Sequence, residues 1–331
     1  MDVRLVSLER WLARQFAGVP HTLAPASEDA SFRRYFRARL ADGRSYVAMD
    51  APPGKEDCGP FLHAAALFAA AGVHVPRVNA QDLDEGFLLL EDLGSTTYLA
   101  RLSESSATEL YAAATDALVR IQLASRPGVL PNYDRALLER ELRLFPDWYL
   151  ARERREALAP KDAQILEAAF EAILANNLAQ PKVFVHRDYH SRNLMLCQPL
   201  PGILDFQDAV YGPITYDLAS LFRDAYIRWD EERVLDWIVR YWEKARDAGL
   251  PVAPDFASFY RDFEWMAVQR HIKVVGIFAR LFHRDGKDRY LADIPLVLDY
   301  LLAACRRYRE LGPLAKLVDR VLDRGARSRH R

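Results

Sequence analysis

The chain has 331 residues, half of them hydrophobic and 27% charged, with 45 basic against 46 acidic side chains and a formal net charge of −1. That length suits one large domain or two lobes with an ample core, and the near-neutral balance gives no electrostatic reason for a nucleic-acid or membrane-surface partner. The three cysteines, Cys58, Cys197 and Cys305, are scattered. They match neither a disulfide framework nor zinc-ligand spacing, and they fit a reducing cytoplasm.

The opening MDVRLVSLERWLARQF mixes Arg4, Glu9, Arg10 and Arg14 with apolar residues, which predicts an amphipathic helix and not a signal peptide. The longest apolar run, 64–73, is too short to span a bilayer. Over 26–40, Phe32, Arg34, Phe36 and Ala38 alternate with Arg33, Tyr35, Arg37 and Arg39, the two-residue period of a strand. Tyr46-Val47-Ala48-Met49 supplies a partner strand, and Asp42-Gly43 between them is a hairpin signal. Pro52-Pro53-Gly54 breaks that strand, and 61–71 predicts a helix. Residues 86–94, GFLLLEDLG, form an apolar strand that turns polar at Glu91. Beyond Thr96, apolar residues at i, i+3 and i+4 predict helices over 105–125, 137–157, 161–179, 214–248, 257–283 and 289–324. The fold class is therefore α+β and bilobal: a small antiparallel-sheet lobe, 1–94, and a large, mostly helical lobe, 96–331. A hinge at 91–95 would join them, with the ligand site in the cleft.

The most informative stretch is 183–208, VFVHRDYHSRNLMLCQPLPGILDFQD. Val183-Phe184-Val185 is a strand that ends at His186-Arg187-Asp188. Leu194-Met195-Leu196 and Ile203-Leu204, joined by a Pro/Gly-rich connection, predict a short antiparallel hairpin. Asn193 and Asp205 flank its open end, where opposed residues lie ~5 Å apart at Cα. An amide oxygen and a carboxylate converging there suit Mg²⁺, with Asp188 on the loop beside them. The spacing H-R-D-x-x-x-x-N followed by D-F is the catalytic-loop and metal-binding signature of protein-kinase-like phosphotransferases. Alone, each fragment reads as a turn or cap residue; together they define a phosphotransferase site. Two parts of that pattern are missing. The turn over 27–31 has no glycine, which leaves Ser31 as its phosphate contact, and Val47-Ala48-Met49-Asp50 carries an acid where the strand lysine belongs. Arg33, Arg34 and Lys55 are the neighbouring cations, and Glu56 or Asp57 stands where a kinase keeps its helix glutamate. At the hinge, the Glu91 carbonyl and the Leu93 N–H are the candidate adenine contacts.

H-x-D-x-H-x-x-N, then L-D-F, then 212–219, GPITYDLA, resemble the signature of the aminoglycoside phosphotransferase/choline kinase family. ASFRRYFR, VAMDAPP, LLLEDLG, LDFQDAVYGPITYDLASL and QRHIKVVGIFARL resemble one bacterial group within it. Those are the anomeric sugar kinases that phosphorylate N-acetylmuramic acid and N-acetylglucosamine at the 1-hydroxyl during cell-wall recycling. The likeness runs from about residue 31 to residue 281. It implies ATP and Mg²⁺ as cofactors and a small-molecule sugar as the acceptor. It makes Asp188 the carboxylate that orients the attacking hydroxyl and accepts its proton, and Asn193 and Asp205 the metal ligands. Asp217, His186 and His190 become braces of the catalytic loop, while Arg187 replaces a usual glycine and receives no role. For the sugar, Asp208 is a hydroxyl partner, and Trp148, Tyr149 and Tyr211 are flat faces. Arg223 and Arg228, together with Arg270, His271, Lys273 and Arg280, bias the acceptor region towards a carboxylate and against a polycation. Three other readings are a kinase of an aminoglycoside, choline or homoserine type, an inactive nucleotide-binding module, and a protein kinase. The intact Asp188, Asn193 and Asp205 oppose the second, and the short 205–217 interval leaves a protein kinase no activation loop.

Overall fold

The computed structural model describes residues 2–27 and 32–328, so Ser31 lies outside the described residues. Its contacts form two units, 1–103 with 192–208 and 104–191 with 209–331.

The first unit begins with α1, Val3–Gln15, whose first turn is capped by the Asp2 side chain accepting from the Arg4 and Leu5 N–H groups. Its apolar stripe, Leu8, Trp11 and Leu12, followed by Phe16, packs on Ala38, Leu40, Ala48, Phe87 and Leu89 of a sheet. That sheet comprises β1 (His21–Ser27), β2 (Arg34–Leu40), β3 (Ser45–Asp50), β4 (Val78–Asp82) and β5 (Phe87–Glu91), in the order β1-β2-β3-β5-β4. Every pairing is antiparallel. The Asp42-Gly43 turn joins β2 to β3 as the sequence predicts, with Arg39 opposite Ser45. β1 is an edge strand that the alternation does not reveal, because Pro25 and a bulge before Ser27 interrupt its pattern. Between β3 and β4 lies α2, Gly59–Ala70, with Pro60 in its first turn.

The second unit starts with α3 (Ala107–Leu123) and α4 (Arg135–Leu144), the latter capped by Asp134 accepting from the Leu137 N–H at 2.9 Å. The single helix expected over 137–157 instead widens after α4 into a π-helical turn, Phe145–Glu153. Pro146 brings no N–H to the ladder, and the chain takes the wider turn there. α5, Pro160–Ala179, leads to β6, Lys182–Val185. The chain then enters the first unit for the hairpin β7 (Leu194–Met195) and β8 (Gly202–Ile203). It returns with β9, Val210–Pro213, paired antiparallel with β6.

The hairpin's membership of the first unit differs from a lobe boundary at 94–96. Its backbone is satisfied there: Tyr98 N–H donates to Leu194 O at 2.7 Å, Leu196 N–H to Thr96 O at 2.8 Å, and Ile203 N–H to His74 O at 2.8 Å. A strand pair this short needs such neighbours to persist.

Four more helices follow: α6 (Tyr216–Phe222), α7 (Glu231–Asp247), α8 (Phe256–Asp285) and α9 (Ile294–Arg307), and then α10 (Gly312–Ser328) completes the unit. The helix expected over 214–248 breaks at 223–230, where the Asp224 side chain accepts the Tyr226 N–H at 3.1 Å and fixes a turn. The one expected over 289–324 breaks at Tyr308, in extended conformation, ahead of Gly312-Pro313. Among the described residues no helix is long and apolar enough to cross a membrane.

α8 passes very close to the end of α4. A Cβ on Gly276 would lie 2.4 Å from the Leu144 carbonyl carbon and 2.6 Å from its Cβ. Gly276→Ala is therefore expected to destabilise the protein by about 1–3 kcal/mol, despite alanine's better helix propensity. A thermal melt checks this, and an unchanged or higher midpoint would mean the contact yields.

Candidate active site

The hairpin end has the predicted geometry. Asn193 Nδ2 donates to Asp205 Oδ2 at 3.2 Å, Leu204 N–H donates to Asn193 O at 2.9 Å, and Gln207 Nε2 donates to Asp205 Oδ1 at 2.7 Å. Asp205 is exposed and sits at φ 64°, in the left-handed region. Non-glycine residues held there occur where surrounding structure fixes them, often at functional sites. Here the anchor is Phe206, fully buried, its ring 4.9 Å from that of Phe61 and 6.0 Å from that of Phe68 on α2. The D-F pair thus divides its work: the phenylalanine is fixed in the core and the aspartate faces outwards. Gln207 is a neighbour that no motif or spacing singles out. The oxygens fit a hard cation: the Asp205 carboxylate is exposed, and a half-turn of the Asn193 amide presents its oxygen there in place of the N–H.

Asp188 lies on the loop after β6, in the second unit, with Arg187 before it at φ 78°. Asp217 on α6 is fully buried, and its two carboxylate oxygens accept the His186 N–H at 2.6 Å and the Arg187 N–H at 3.0 Å. A second buried acid, Asp224, holds the far side of the loop through the Ser191 N–H at 2.9 Å and its Oγ at 2.5 Å. Sequence reasoning missed Asp224, although its place seven residues after Asp217 in an apolar run was a signal. His186 Nδ1 accepts the Asp188 N–H at 3.3 Å and its ring packs edge-on to Tyr189, while His190 packs against Tyr226. Burial alone would raise the Asp188 pKa, but Lys273, His190, Arg270 and Arg187 outweigh it and bring it down to about 2. At Asp217 burial dominates over the two backbone donors and pushes the pKa up to about 7, with the Asp188 charge adding to the rise.

A charged cluster lies around this loop. Glu141 on α4 is buried, accepts from Arg187 Nη2 at 2.5 Å and from the Tyr133 hydroxyl, and pairs with Lys273 Nζ at 3.1 Å. Lys273 also donates to the Tyr216 hydroxyl at 2.9 Å. Arg187, for which the sequence suggested no role, is thus half of a buried ion pair. Arg270 lies within electrostatic reach of Asp188 and Asp217.

Arg223, Arg228 and His271 are engaged elsewhere, while the buried Nε of Arg280 has no hydrogen-bond partner among the described residues. Arg223 pairs with Glu231 at 2.7 Å and lies over the Tyr300 ring, and Arg228 pairs with Asp299. His271 is buried against Tyr300 with Nε2 on Arg223 O, and burial pushes its pKa down to about 3, leaving it neutral. Tyr211 and Trp148 are partly exposed, the first on β9 and the second on the π-helical turn. Asp208 is exposed three residues beyond Asp205.

In the first unit, Asp50 replaces the strand lysine as a fully buried acid held by two guanidinium groups. Arg4 donates to Oδ1 through Nε (2.8 Å) and Nη2 (2.5 Å), and Arg34 donates to Oδ2 through Nε (3.0 Å) and Nη2 (2.5 Å). The residue ties α1 to β2 and β3, and it engages Arg34. Arg33 pairs with Glu56 at 3.4 Å, Glu56 also accepts the Phe32 N–H at 3.0 Å, and Lys55 lies over the Phe32 ring. Glu91 donates its N–H to Arg77 O at 2.8 Å, and its carboxylate contacts His74 and Arg77. Leu93 is buried.

The sheet order, the helical second unit and the two braced carboxylate loops define a protein-kinase-like phosphotransferase. Solved structures with this fold include a choline/ethanolamine kinase family protein from Mesorhizobium loti (TM-score 0.65, 14% identity, 96% of this chain and 99% of that one). Another is an amicoumacin kinase in complex with AMP-PNP, Ca²⁺ and Ami (TM-score 0.61, 14% identity, 91% of this chain and 96% of that one). Residues 22–253 match the phosphotransferase enzyme family, APH, and the chain belongs to it. It is 54% identical over 327 residues to the N-acetylmuramate/N-acetylglucosamine kinase of Pseudomonas aeruginosa, covering 96% of each chain. It is 53% identical over 325 residues to the enzyme of the same name from Neisseria meningitidis, covering 97% of each.

Proposed function

We propose that the protein is a cytoplasmic, Mg²⁺-dependent kinase that transfers the γ-phosphate of ATP to the anomeric hydroxyl of N-acetylmuramic acid and N-acetylglucosamine. Its product is the sugar 1-phosphate of cell-wall recycling. The observation that carries this reading is the 54% identity, over 96% of both chains, to a kinase named for those two sugars.

Asp188 orients the acceptor hydroxyl and accepts its proton as the new O–P bond forms and the bond from the γ-phosphorus to ADP breaks. Asp217 and Asp224 hold its loop. Asn193 and Asp205 would hold Mg²⁺, which neutralises phosphate charge when bound. Among the described residues no group of three or more His, Cys, Asp or Glu side chains could hold a metal, and nucleotide phosphates would supply the remaining oxygens to a cation held by Asn193 and Asp205. Arg33, with Glu56 as its partner, supplies the cation that Asp50 does not. The Glu91 carbonyl and Leu93 N–H serve the adenine. Asp208, Tyr211 and Trp148 are the sugar contacts, whereas the Arg223–Glu231 pair supports a packing role for Arg223. Intact Asp188, Asn193 and Asp205 oppose the inactive module that the missing strand lysine and glycines would suggest.

An assay of phosphate transfer to N-acetylglucosamine and to its 1-O-methyl glycoside tests the anomeric assignment. The free sugar should be phosphorylated and the glycoside should not. Phosphate on the glycoside would move the reaction to another hydroxyl.

A further inference from the structure

Arg270 is 4% exposed on α8, and among the described residues its Nε and Nη1 have no hydrogen-bond partner. Each unmatched buried donor costs about 1–3 kcal/mol, more when charged, so a fold retains such a group where something supplies the acceptor. Lys273 is matched by Glu141 and Tyr216, and Arg187 gives Nη2 to Glu141 with its guanidinium over the Tyr133 ring. Arg270 is thus a member of the Asp188 cluster that has two donors of one guanidinium to offer.

The charge balance narrows the guest. Asp188 and Glu141 face Arg187, Arg270 and Lys273, while the buried Asp217 and Asp224 are taken up by N–H groups of the loop, so the side chains around Asp188 offer a monoanion a cationic surplus. A guanidinium edge, Nε with Nη2 or Nη1 with Nη2, matches a carboxylate with two parallel hydrogen bonds, and on Arg270 each edge carries one of the unmatched donors. The two sugars named above differ in one respect that such a fork can read: N-acetylmuramic acid carries a lactyl carboxylate and N-acetylglucosamine does not. We propose that Arg270 is the specificity-determining residue of the acceptor site and binds the carboxylate of N-acetylmuramic acid. This rests on the function proposed above.

The test compares N-acetylmuramic acid, its methyl ester and N-acetylglucosamine, at saturating Mg·ATP, on the wild type, Arg270→Gln and Arg270→Lys. In the wild type the ester should lose about tenfold or more in kcat/KM relative to the free acid. Arg270→Gln should abolish that difference and lower the ratio of N-acetylmuramic acid to N-acetylglucosamine turnover by a similar factor, chiefly through KM. Arg270→Lys, which keeps the charge and loses the fork, should fall between. Equal losses for both sugars with an unchanged ratio would overturn the proposal and place Arg270 on the transferred phosphoryl group or on Asp188. If Arg270→Gln fails to fold, the acid–ester comparison on the wild type still decides, because equal use of the two overturns it. If the wild type phosphorylates neither sugar, the proposed function fails, and calorimetric binding of the acid against its ester decides the Arg270 assignment separately.

Discussion

Asp188→Asn is expected to lower kcat by about 10²–10⁴-fold while leaving the apparent affinity for Mg·ATP within a few-fold. The substitution is isosteric and leaves the loop's braces, Asp217 and Asp224, in place. What it removes is a charge that aligns the acceptor hydroxyl and takes its proton, interactions that matter mainly in the transition state. With a pKa near 2, Asp188 is a weak base, so in the proposed role its proton transfer comes late, as the O–P bond forms. The pH dependence follows with a definite sign. Because the folded value lies below the ordinary 3.8, the ionised form is favoured by the fold, and its stabilising contribution is complete above that value and lost as pH falls towards 2. No acid limb of kcat/KM above pH 4 should therefore belong to Asp188. Steady-state kinetics of the variant, with a melt as control for the altered Arg270–Lys273 environment, checks this. Unchanged turnover would remove Asp188 from the mechanism.

What the sequence made legible was local. A turn dipeptide fixed the β2–β3 hairpin, two apolar runs around a Pro/Gly segment fixed β7–β8, and hairpin pairing then forced Asn193 and Asp205 together. Asp217 was readable as a brace because its motif neighbours were. What escaped was set by contacts distant in sequence. The hairpin's attachment to Thr96, Tyr98 and His74 is a matter of backbone partners about a hundred residues away, which periodicity does not encode. Glu141 looks like one more solvated acid on an amphipathic helix, yet it is the anion that holds Arg187 and Lys273. The basic face of α8 was visible as a cluster of charges, but burial divides it: Arg270 and Lys273 belong to the Asp188 group, while His271 turns to Arg223 and Tyr300. Helix ends were misjudged where one side chain, Asp224, trades helix continuation for a turn and for the catalytic loop.

Asp205→Ala is expected to show the opposite kinetic signature to Asp188→Asn: nucleotide binding itself should fail, with apparent affinity for Mg·ATP lowered about tenfold or more and turnover falling with it. The carboxylate is exposed and receives its hydrogen bonds from two side-chain amides, Asn193 and Gln207, so its removal leaves no buried charge unpaired. The local fold is carried by Phe206 between Phe61 and Phe68, which the substitution does not touch. Alanine at φ 64° is strained by roughly 1–2 kcal/mol, so a small drop in the melting midpoint is expected alongside the binding loss. Asp205→Asn separates the two effects, because asparagine tolerates the left-handed region yet gives the cation a neutral oxygen in place of a charged one. Its midpoint should stay near that of the wild type while Mg·ATP affinity still falls. Calorimetric titration of ATP at a series of Mg²⁺ concentrations distinguishes a lost metal ligand from a lost nucleotide contact: only the former weakens as a steeper requirement for Mg²⁺. A normal Mg²⁺ dependence in Asp205→Asn would take the aspartate out of the metal site and leave the hairpin end as a structural turn.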